Sequence, residues 1–205
     1  SPKWIGKCPA CGEWNTYVEE IVSKETRQNV QFAGLQMTKE KPVLISEVEI
    51  TEEARIDTRS NELNRVLGGG LVSGSLVLIG GEPGIGKSTL VLQVVLNMKG
   101  LKTLYISGEE SVRQIKLRAE RLSVDHSSCY VVSETSLEQI FVHIQNVQPD
   151  LVVVDSIQTV STETIESSPG SVSQVRECAA ALLKFCKTTS TSVFLIGHKI
   201  GRAHV

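Results

Sequence analysis

Residues 79–90 read IGGEPGIGKSTL. The pattern G-x-x-x-x-G-K-[ST] is met by Gly81, Glu82, Pro83, Gly84, Ile85, Gly86, Lys87 and Ser88, with Thr89 behind it. The apolar run before it, SLVLIGG (75–81), reads as a short buried strand, and KSTLVLQVVLNMKG after it reads as a helix. Strand, glycine-rich turn and helix form the context in which this pattern carries chemistry. The glycines admit backbone angles that other residues resist, and their N–H groups join the helix N-terminus in an anion cradle. Lys87 is placed to reach the β- and γ-phosphates of a nucleoside triphosphate, and Ser88 Oγ to coordinate Mg²⁺. What the triphosphate serves stays open, because kinases, switches, transporters and DNA motors share such a loop.

Outward from the loop, strands and helices alternate. SNELNRVLGGG has Ser60 or Asn61 as a cap, with Leu63, Val66 and Leu67 on one helical face and Gly68 to Gly70 as the stop. KTLYIS (102–107), CYVVS (129–133), LVVVDS (151–156) and SVFLIG (192–197) read as strands, and VLISEVEI (43–50) as a strand or extended entry. SVRQIKLRAERL (111–122) reads as a helix in which Ser111 and Gln114 form a capping box. SLEQIFVHIQNV (136–147) reads as a helix with Leu137, Ile140, Phe141, Ile144 and Val147 inward. In 171–189 the inward set is Val175, Ala179, Leu182, Leu183 and Cys186. This alternation predicts an α/β fold with a mostly parallel sheet covered on both faces. Ligands of such sheets bind beyond the carboxyl ends of the strands, which singles out Glu109, Asp155 and His198.

Asp155 ends LVVVD, four apolar residues and then an acid, the form of a Walker B strand whose carboxylate holds Mg²⁺ through water. In YISGEES, Glu109 and Glu110 follow the strand after the phosphate-loop helix. A carboxylate there polarises water for in-line attack on the γ-phosphate, and Glu109, nearer the strand end, is the better placed. A purely structural role, an acid before a helix N-terminus, suits Glu110 better.

The bulk numbers are globular: 205 residues, 40% hydrophobic and 21% charged. A net charge of −2 gives no global attraction to nucleic acid, though local patches remain open, and 4% aromatics argue against broad base-stacking platforms. No apolar run approaches the roughly 20 residues of a membrane helix, so no membrane partner is expected. Five scattered cysteines do not form a disulfide framework. Cys129, Cys178 and Cys186 read as small core residues. Cys8 and Cys11 form a CPAC knuckle whose two thiolates can chelate a tetrahedral Zn²⁺, though a closed structural site needs four ligands. Residues 1–17 form one compact segment, 18–42 a polar linker and 43–199 the main domain.

LGGGLVSGSLVLIGGEPGIGKSTL, YISGEES, VDSIQTV, SSPGSVSQVRECAAAL and FLIGH together resemble the RadA (Sms) family of bacterial DNA repair proteins, a branch of the RecA-like ATPases. SPKWIGKCPACGEWNT resembles the second half of that family's zinc finger. The resemblance implies an ATP-hydrolysing enzyme with ATP and Mg²⁺ as cofactors and Zn²⁺ in the full-length protein. It also implies a cytoplasmic protein acting on single-stranded or branched DNA in homologous recombination, as a homo-oligomeric ring or filament, with the RecA recombinase as a partner. Glu109 matches the family's water-activating glutamate, and His198 the polar residue that senses the γ-phosphate. TVSTETIESSPGSVSQ (159–174) takes the place of a loop that faces single-stranded DNA.

The text departs from the family after GH. Residues 200–205, IGRAHV, are expected to be a non-native tail, with truncation at both ends and the other CxxC lost upstream. A competing class is a nucleotide-gated scaffold of signalling or clock type that does not act on DNA. A kinase would need an arginine-rich lid, and Arg113, Arg118 and Arg121 fall on one ordinary helix.

Overall fold

The computed structural model describes residues 42–47, 55–122 and 128–198. The chain divides into two units, Ser1–Gln36 and Met37–Val205, and the described residues belong to the second. Cys8 and Cys11, nearly all of the linker, Lys199 and the tail 200–205 lie outside the described residues. Of the segment 43–50, the described part holds a 3-10 turn, Ile45–Glu47.

The elements run α1 (Asn61–Val66), β1 (Leu76–Gly81), α2 (Lys87–Asn97), β2 (Thr103–Ser107), α3 (Val112–Arg121) and β3 (Cys129–Ser133). They continue with α4 (Leu137–Val147), β4 (Leu151–Asp155), a 3-10 turn (Ile157–Thr159), α5 (Val172–Thr189) and β5 (Ser192–His198). The five strands pair in parallel in the order β1-β5-β4-β2-β3. β5 is therefore inserted between the strand that carries the phosphate loop and the strand that ends in Asp155.

Strand alternation sorts the core into two layers. Tyr105, Leu151, Val153, Phe194 and Ile196 pack with Val91, Leu92 and Val95 of α2 and Ile115 of α3. On the other face, α4 and α5 bury Ile140, Phe141, Leu182 and Phe185, with the Phe141 and Phe185 rings 5.7 Å apart. Each such side chain contributes roughly 1.5–3 kcal/mol by leaving water. Burial pushes the thiols of Cys178 and Cys186 up to about 11, as fits small core residues.

Three sequence expectations shift. Among the described residues β1 pairs only with β5, at one end of the strand order, so Leu78 is 63% exposed instead of buried. α1 lasts six residues, and Val66 points outward while Leu63 and Leu67 pack on the core. The buried stripe of α5 is Gln174, Cys178, Leu182, Phe185 and Cys186. Leu183 is exposed, and Val175 and Ala179 are half-buried. An apolar count misses Gln174 because its amide is satisfied by backbone and so tolerates burial.

Candidate functional site

The carboxyl ends of β1, β2, β4 and β5 bring one polar cluster together. The turn after β1 leads into α2 through Gly86, whose φ of 91° suits glycine. The helices α1, α3, α4 and α5 each begin with a serine (Ser60, Ser111, Ser136 and Ser171) whose hydroxyl accepts from the N3 amide. α2 has no side-chain cap, so its N-terminal donors and dipole stay available to an anion. Lys87 is buried, and its Nζ donates to the carbonyls of Gly81 (3.0 Å) and Glu82 (2.7 Å). The ammonium is thereby held over the loop rather than in solvent.

Ser88, in the first turn of α2, donates from Oγ to Asp155 Oδ1 at 3.0 Å. Tyr105 donates its hydroxyl to Asp155 Oδ2 at 2.6 Å. Asp155 is 3% exposed, so these contacts matter to its charge. Ser88 and Asp155 offer hard oxygen donors side by side at the mouth of the phosphate loop. That donor set fits Mg²⁺ completed by water and phosphate oxygens.

The turn after β2 is wound around Ser107, whose buried Oγ accepts from the N–H groups of Glu109 (3.3 Å) and Glu110 (3.0 Å). Gly108 is forced: a Cβ there would stand 2.1 Å from Thr159 Oγ1. The turn sends the two acids in different directions. Glu110 forms an ion pair with Arg118 of α3. Glu109 Oε1 accepts from Ser156 Oγ (2.7 Å) and lies 3.1 Å from His198 Nε2. Since a carboxylate only accepts, Nε2 carries the proton of that contact. The Ser156 hydrogen bond, with help from His198 and Lys87, holds the Glu109 carboxyl below the usual carboxylate range against its partial burial. An ionised, half-exposed carboxylate fixed at one oxygen is poised to accept a proton from water.

Sequence reading put Gly81 to Thr89, Asp155, Glu109, Glu110 and His198 at this site, and the fold brings all but Glu110 together. Glu110 stands apart, committed to Arg118. Tyr105, Ser107 and Ser156 were missed, as was Gln158, whose amide donates to the His198 carbonyl at 3.1 Å. Ser156 stood in the quoted VDSIQTV, and a hydroxyl next to a Walker B acid was its signal.

The 3-10 turn leads from Ser156 into the 160–171 loop. Thr162 N donates to Gln174 Oε1 at 2.9 Å, and Gln174 Nε2 donates to the carbonyls of Thr162 (3.1 Å), Ser167 (3.0 Å) and Ile165 (3.4 Å). Thr162 Oγ1 donates to Glu138 of α4 at 2.6 Å. Among the described residues, no group of three or more metal-ligating side chains forms a further metal site, and no helix is long and apolar enough to cross a membrane.

Residues 41–200 match the family model of an AAA domain, and residues 1–19 that of a rubredoxin metal-binding domain. The chain is 55% identical over 201 residues to the DNA repair protein RadA of Bacillus subtilis, covering 97% of this chain and 44% of the relative. It is 47% identical over 200 residues to the DNA repair protein RadA of Pseudomonas aeruginosa, covering 96% and 44%. It thus spans less than half the length of these relatives. A KaiC-like protein from Pyrococcus horikoshii OT3 shares the fold, with a TM-score of 0.58 at 17% identity over 71% of each chain.

Proposed function

The chain belongs to the AAA domain family and has a RecA-like ATPase fold, and from that premise we propose that it hydrolyses ATP to act on DNA intermediates in repair. One observation carries the hydrolytic part. Lys87, Ser88 and Asp155 meet at the phosphate loop, while Glu109 is held beside them by Ser156 and His198. In this reading the α2 amides and Lys87 bind the β- and γ-phosphates, and Lys87 exchanges its loop carbonyls for phosphate oxygens. Ser88 and Asp155 hold Mg²⁺, which when bound neutralises charge developing on the transferred phosphoryl group. Glu109 orients the attacking water and takes its proton. His198 steadies Glu109 and reads the γ-phosphate.

The DNA part rests on similarity to RadA proteins and on the loop. The 3-10 turn joins Ser156, a Glu109 contact, to the 160–171 segment that Gln174 and Glu138 hold in shape. Single-stranded or branched DNA lies against this segment, contacted by hydroxyl and backbone N–H groups. The functional unit is a ring or filament of copies in the cytoplasm, working with the RecA recombinase in homologous recombination. Cys8 and Cys11 supply two of the four zinc ligands that a structural site needs. The test is ATP turnover by the full-length protein with and without single-stranded DNA. Stimulation supports the reading. A rate indifferent to DNA, together with no DNA binding at low salt, overturns it in favour of a nucleotide-gated scaffold.

A further inference from the structure

Among the described residues, the hydroxyl of Tyr105 donates to Asp155 alone. Tyr105 is 0% exposed and belongs to the layer packed under α2 and α3. In the β2–β4 register Ser107 lies beside Asp155 and Tyr105 beside Val153, so Tyr105 stands one pleat behind Asp155 on the same face. From there a phenol reaches forward to Oδ2 at 2.6 Å, while Ser88 takes Oδ1 at 3.0 Å. Packing alone does not call for the oxygen, because phenylalanine fills nearly the same volume, and a buried hydroxyl costs stability without a partner. A buried carboxylate with freedom about its last torsion could present either oxygen to the loop.

We propose that Tyr105 is a positioning residue that locks the Asp155 carboxylate by its rear oxygen, so that Oδ1 alone faces Ser88 and the divalent cation. The inference rests on the nucleotide-site reading above. It assigns Tyr105 no contact with nucleotide, so its removal alters the Mg²⁺ requirement and not the cradle itself.

The test is binding of a fluorescent ATP analogue to the full chain as Mg²⁺ is titrated, with wild type, Tyr105→Phe and Lys87→Ala compared. Tyr105→Phe should raise the half-saturating Mg²⁺ concentration roughly 10–100-fold, the usual cost of losing a partner behind a metal ligand, while Mg²⁺-free binding stays as in wild type. An unchanged Mg²⁺ curve, or equal weakening with and without Mg²⁺, overturns the inference. If wild type binds the analogue no better than Lys87→Ala, the nucleotide-site reading itself fails. A second measurement needs no substitution at Tyr105. In wild type, NMR should show a slowly exchanging tyrosine hydroxyl proton that Asp155→Asn abolishes or shifts, and its indifference to that change also overturns the inference.

Discussion

Two adjacent glutamates illustrate how much a single turn decides. Glu109 and Glu110 are chemically identical and one residue apart, yet Ser107 winds the chain so that one meets Ser156 and His198 and the other Arg118. Glu109→Gln should retain nucleotide binding and lose turnover by roughly 10²–10⁴-fold, the range of a general base. Glu110→Gln should keep turnover within a few-fold in the same assay. The Ser156 hydrogen bond also sets a pH dependence. Because it lowers the folded pKa of Glu109 beneath the ordinary 4.5, the carboxylate stays charged across the neutral and mildly acid range. The matching stabilisation is present above the unfolded value and fades as pH falls through the folded one. Ser156→Ala should therefore move the acid limb of the pH–rate profile upward; an unmoved limb would separate Ser156 from Glu109.

At the scale of elements, legibility followed locality. The phosphate loop is one contiguous stretch, so its glycines, Lys87 and Ser88 could be read directly from spacing. The capping box of α3 is equally local, and Ser111 and Gln114 form it as expected. Ser156 and Tyr105 act on partners 47 and 50 residues away, and neither pairing is visible before the sheet order is known. Gln174 is the instructive miss. Polar by composition, it lies buried on α5 because the 160–171 loop folds its backbone onto the amide. Gln174→Leu should strand those groups and cost about 1–3 kcal/mol for each one left unsatisfied. Urea denaturation measures the loss, and faster amide exchange confined at first to 160–171 identifies the loop as its source.

Across the whole domain, no single strand owns the site. β1 supplies the loop, β2 Glu109, β4 Asp155 and Ser156, and β5 His198, and the insertion of β5 beside β1 carries His198 to Glu109. The paired charges and hydroxyls are thus a consequence of strand order. The most direct measurement is Mg²⁺-dependent ATP turnover of wild type against Lys87→Ala. Wild type should hydrolyse ATP, and the variant, lacking its phosphate-binding cation, should fall by roughly 10²-fold or more. Equal turnover in the two proteins would contradict the assignment of the site.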